Sequence, residues 1–162
     1  MKDKIIHILL IIIIFLRLII ADNQYSVKQL ENTVEINYYI LVVILLSLNL
    51  ILIYGSALIS NIIISISINF TKIYGDKHML FIVKEKVYFI YGIIYLIYNL
   101  LLIALDTWIN ISLLKFFQIA VYIIISAMIY SILSKLMIIN KYKIMKISLI
   151  NFFVLSGLLI VI

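Results

Sequence analysis

The chain has 162 residues, 67% of them hydrophobic and only 12% charged, with no proline and no cysteine, and its mean hydropathy is +1.29. A soluble domain is about half apolar and about a quarter charged, and an apolar surface of this extent aggregates in water; the composition excludes a soluble globular protein and indicates an all-α, polytopic chain of four to five spans whose solvent is lipid. The net charge of +6 reads as topology and attraction to anionic lipid and gives no support to nucleic-acid binding, while two histidines (His7 and His78) in different segments make neither a metal cage nor a haem pair.

A spanning helix needs about 20 apolar residues to cross a hydrocarbon core ~30 Å thick. The first candidate, within residues 1–21, follows the basic start Met1-Lys2-Asp3-Lys4. It has two readings. As a signal peptide it has basic residues, an apolar stretch and Ala21 before a polar run. Bulky Ile19 at the −3 place and Arg17 close to the site speak against cleavage. As a retained helix it would let Arg17 snorkel outwards. Residues 22–37 then form an external polar segment.

Residues 38–162 are expected to form a helical bundle. The run 38–70 carries no charge over 33 residues, about 50 Å as one helix. Its span is placed at 38–59, with Gly55-Ser56 as a bend and an extension to 70; a hairpin at Gly55 is the less favoured arrangement. Residues 71–86 are read as a polar loop with a turn at Gly75-Asp76. Further spans are expected at 87–105, 119–139 and 147–162. Trp108, Phe116 and Phe117 suit the interfacial belt between the spans at 87–105 and 119–139.

Lysines and arginines gather on cytoplasmic loops, and here the loops alternate. Lys2 and Lys4 precede the first segment and Lys28 follows it. Lys72, Lys77, Lys84 and Lys86 fill the next connection, then Lys115, then Lys135, Lys141, Lys143 and Lys146. Five alternately threaded segments account for this, with the N-terminus inside if it is not cleaved and the C-terminus outside.

The most ordered polar pattern is Tyr88, Tyr91, Tyr95 and Tyr98, which fall on one helical stripe about 80° wide at ~100° per residue. Asn99, Asp106 and Lys84 extend it. Hydroxyls in lipid need partners, so this face is expected to meet other helices as a packing seam or, less readily, to line a polar pathway. On the fourth span Ala120, Ala127, Ser131 and Ser134 make a stripe of small residues suited to close helix approach. Beside it runs a ladder of Tyr122, Ser126, Tyr130 and Ser134. Asn49, mid-span, is expected to pair with another helix.

Enzymatic signatures are missing. The chain has no glycine-rich phosphate loop, no His-Glu-x-x-His motif, no nucleophile elbow, and loops too short for a catalytic domain. No cofactor is implied. The layout of the first hundred residues (signal-like segment, outer stretch, span, short basic loop, span) resembles the pilin-type subunits of type IV secretion systems, although their glycine-rich first span is absent and two further spans follow. The leading expectation is a non-catalytic subunit that packs against other membrane protein subunits in a larger respiratory, secretion or transport complex. A small holin-like homo-oligomeric channel lined by the tyrosine face, and an anchor for a soluble partner docking on the basic loops, are the alternatives.

Overall fold

The computed structural model describes residues 2–21, 37–70, 77–105, 111–136 and 140–161. They form five helices: α1 (Lys2–Ala21), α2 (Tyr38–Phe70), α3 (Lys77–Ala104), α4 (Ile111–Leu136) and α5 (Lys141–Val161). Isoleucine-rich runs favour strands in water. In lipid each backbone N–H and C=O has to be satisfied within its own segment, and the helix does this. Two helices start at asparagine caps: the Tyr39 amide donates to Asn37 Oδ1 at 3.0 Å and the Tyr142 amide to Asn140 Oδ1 at 3.0 Å, satisfying amides that a helix start leaves open.

Three helices contain stretches long and apolar enough to cross a membrane, Tyr38–Ile68, Leu80–Ala104 and Phe116–Leu136. The run 38–70 is one unbroken helix, not a hairpin, and a side chain at Gly55 would meet nothing within 4 Å. The expected loop 71–86 is shorter than the sequence suggests, because α3 begins at Lys77 and takes in the apolar patch 79–83. Likewise α4 begins at Ile111 and α5 at Lys141, both ahead of the expected spans. For α3 and α5 the reason is shared: hydropathy marks the part of a helix inside lipid, whereas lysine and glutamate are good helix formers that carry it on into the interface.

Helix α3 is central and packs against α1, α2 and α4. Helix α2 also touches α1 and α5, and α5 lies along α4. The bundle is thus a triangle, α1–α2–α3, and a four-helix ring, α2–α3–α4–α5, sharing the α2/α3 pair. The core residues recur at helical spacing: Leu10, Ile14 and Leu18 from α1, Val83, Val87, Ile90 and Ile94 from α3, Ile125, Ile129 and Leu133 from α4. Lipid tails are as apolar as these side chains, so their association rests on close contact more than on exclusion of water.

Candidate functional site: a polar seam along α3

Four members of the predicted stripe, Tyr91, Tyr95, Tyr98 and Asn99, are buried where α3 faces α1, α2 and α4. The Tyr91 and Ser60 hydroxyls lie 2.7 Å apart, joining α3 to α2. Tyr95 stacks on Tyr91 with ring centroids 6.2 Å apart and meets Tyr98 edge-on at 5.9 Å. Across the α3/α4 contact its hydroxyl faces Tyr122. Steps of three and four place these rings one above another on a helix face, which is why they touch.

One end of the seam holds a guanidinium. Arg17 Nη1 donates to Asn99 Oδ1 at 2.6 Å, and Asn99 Nδ2 donates to the Tyr95 carbonyl at 2.7 Å. Arg17 therefore reaches across to α3, where the sequence suggested that it snorkels outwards. Side chains on a helix lean towards its N-terminus, and a buried amide oxygen lies in that direction.

Towards the other end, the Tyr54 hydroxyl and His7 Nδ1 are 2.9 Å apart. The His7 ring sits on Gly92, where an added Cβ would lie 3.1 Å from its Cε1 and 3.2 Å from Ile6 Cγ2. Glycine at 92 is what lets α1 come this close. With His7 at Gly92 and Arg17 at Asn99, α1 and α3 run parallel. Ser60 meets Tyr91 while Ser65 borders a cavity with Lys84, so α2 runs antiparallel to α3.

Tyr88 is only half-buried and lines that cavity with Lys84. Asp106 and Trp108 lie outside the described residues, as does segment 22–36. Asn49 Nδ2 donates to the Leu45 carbonyl of its own helix at 2.8 Å. An amide can bond back to the preceding turn, and in this way Asn49 meets part of its demand without the expected partner helix.

Ala120, Ala127, Ser131 and Ser134 are all exposed, and Ser134 Oγ bonds the Ser131 carbonyl at 2.9 Å. This stripe faces outward, because the packing face of α4 is the one with Tyr122, Ile125, Ser126, Ile129 and Leu133. On that face Ser148 of α5 donates to the Ser126 carbonyl, and Asn151 Nδ2 approaches Ser126 Oγ at 3.5 Å. Ala127 borders an open groove of about 510 Å³ between α4 and α5, walled also by Tyr130, Met145 and Phe152.

His7, Gly92, Arg17 and Asn151 were not among the predicted site residues. Asn151, a lone amide in the apolar run of α5, carried a readable signal of burial; the pairing of His7 with Gly92 carried none.

Helices of this length and hydropathy, held by a buried polar seam, define the class: an all-helical integral membrane protein. No protein-family model, curated protein or solved structure matches the chain.

Proposed function

We propose that the protein is a multi-pass, non-catalytic helical subunit that packs within a larger membrane assembly, with its N-terminus in the cytoplasm and its C-terminus outside. The observation that carries this reading is the outward stripe of small residues on α4, beside the groove in which Ala127 and Met145 lie. Small residues let a second helix backbone approach closely, and in lipid such contact is what drives association. Within this chain the stripe is left facing outward, so a helix from another subunit fits it.

The tyrosine face supports the same reading over a pore. A pore-lining face must contact water, whereas Tyr91, Tyr95 and Asn99 are buried against neighbouring helices of the same chain. The test is co-purification of tagged wild type and Ala127→Trp from native membranes. Wild type is expected to bring down an unrelated membrane chain in fixed ratio, and Ala127→Trp to lose it while keeping the thermal midpoint of the isolated protein. Equal recovery of that chain by both proteins would contradict the assignment of this face.

A further inference from the structure

A second surface, separate from the α4/α5 groove, has the chemistry of a ligand site. Between α2 and α3 lies a cavity of about 400 Å³ bordered by Asn61, Ser65, Lys84 and Tyr88, with Leu58 and Ile66 on its rim. Asn61 is 6% exposed, yet neither its Nδ2 nor its Oδ1 has a hydrogen-bond partner, and the buried Ser65 Oγ has none either. A buried amide without partners is costly, because it has given up water and gained nothing in return. Two such groups beside one lysine describe a place where donors await an acceptor. Glu85 is exposed and is not part of the wall.

The depth of the cavity identifies the ligand class. His7 against Gly92 sets the level of α1 on α3. Counting back along the two parallel helices, Lys2 and Lys4 of α1 lie level with residues 87 and 89 of α3, about one turn from Lys84 and Lys86. Lys84 therefore belongs to the band of cations at one membrane boundary, where lipid headgroups sit. The rim residues Leu58, Ile62 and Ile66 are half exposed, and in a membrane such apolar side chains meet acyl chains at the mouth of the cavity.

We propose that this cavity binds the phosphate headgroup of an anionic phospholipid. Lys84 supplies the charge, the Asn61 amide and the Ser65 and Tyr88 hydroxyls donate to phosphate oxygens, and the acyl chains run along Leu58, Ile62 and Ile66. A cation beside neutral donors makes charge-assisted hydrogen bonds to phosphate, stronger than neutral ones. A freely soluble phosphate would have no use for the apolar rim.

The test uses the full-length protein in a neutral detergent and reads the thermal midpoint during titration with short-chain phosphatidylglycerol, short-chain phosphatidylcholine and inorganic phosphate. A bound ligand raises the midpoint. Phosphatidylglycerol is expected to raise it saturably and the other two to leave it in place. Lys84→Gln should weaken apparent affinity by at least about five-fold, the contribution of one lysine near an anionic surface. Lys135→Gln, an exposed lysine on α4 with the same change of charge, should not. Asn61→Leu should abolish the phosphatidylglycerol effect without lowering the midpoint of the lipid-free protein, since it removes an unsatisfied amide. Equal shifts with phosphatidylcholine, an equal shift with inorganic phosphate, or undiminished binding by Lys84→Gln would each overturn the proposal. A drop in oligomeric mass on Asn61→Leu would assign the cavity to a helix contact instead and overturn it too.

Discussion

Arg17 on α1 and Asn99 on α3 are joined by a 2.6 Å hydrogen bond between residues 82 apart in sequence. The bond places a guanidinium against the tyrosine seam, and it makes the first helix part of the bundle. Asn99 is committed at both ends, its amide to Tyr95 and its oxygen to Arg17. Removing Arg17 leaves the buried Asn99 oxygen open.

Interhelical hydrogen bonds in membrane proteins average about 0.6 kcal/mol and reach about 1.7 kcal/mol. A charged donor bonded to a buried amide belongs at the upper end. Arg17→Leu and Asn99→Leu are each expected to lower unfolding free energy by about 1–2 kcal/mol in mixed detergent, and the double variant by clearly less than the sum. Additive losses would show that the two residues act independently.

The same bond bears on the fate of residues 1–21. Leu10, Ile14 and Leu18 are buried, and His7 and Arg17 bond to α2 and α3. A segment packed in this way is expected to remain after insertion. Mass spectrometry of the mature chain from native membranes should therefore recover peptides containing His7 and Arg17. A mature N-terminus at Asp22 would overturn this account of the α1–α2–α3 triangle.

Two glycines provide an internally controlled pair. A side chain at Gly92 runs into the His7 ring, whereas one at Gly55 meets nothing within 4 Å. Gly92→Leu is expected to cost about 1–3 kcal/mol, the usual range for overpacking. Gly55→Leu should be neutral or stabilising, because leucine is the better helix former. Thermal unfolding of the two variants side by side checks this. Equal losses would remove the close approach of α1 to α3 as the reason for glycine at 92.

The Ser60–Tyr91 pair at 2.7 Å separates seam from pathway. If the tyrosines hold helices together, Tyr91→Phe should lower stability by about 0.5–1.5 kcal/mol and leave ion flux through reconstituted liposomes at the background of empty vesicles. The same flux is expected for Tyr95→Phe. An ion leak in wild type that changes with either variant would favour the pore reading.

The tyrosine stripe was legible because its spacing of three and four defines a face, and hydroxyls in lipid must find partners. The all-helical class was equally legible from hydropathy. The helix ends were not: Lys77, Ile111 and Lys141 start helices outside the apolar stretches, and hydropathy is silent about that. Nor was the inward face of α4. In lipid both sides of such a helix are apolar, so Ile125 and Ile129, which are buried, look in sequence like Ile123 and Ile124, which are exposed. That is why the small-residue stripe, a sound packing pattern in itself, was found on the outside of the chain. The contacts of Arg17 and His7 depend on how α1 lies on α3, which no local pattern encodes.

The most direct measurement is the mass and composition of the native particle after gentle detergent extraction, by native-gel sizing with mass spectrometry of co-migrating chains. This 18.9 kDa chain is expected to run in a much larger particle with unrelated membrane chains in fixed ratio. Migration alone, or only with copies of itself, would contradict the subunit reading.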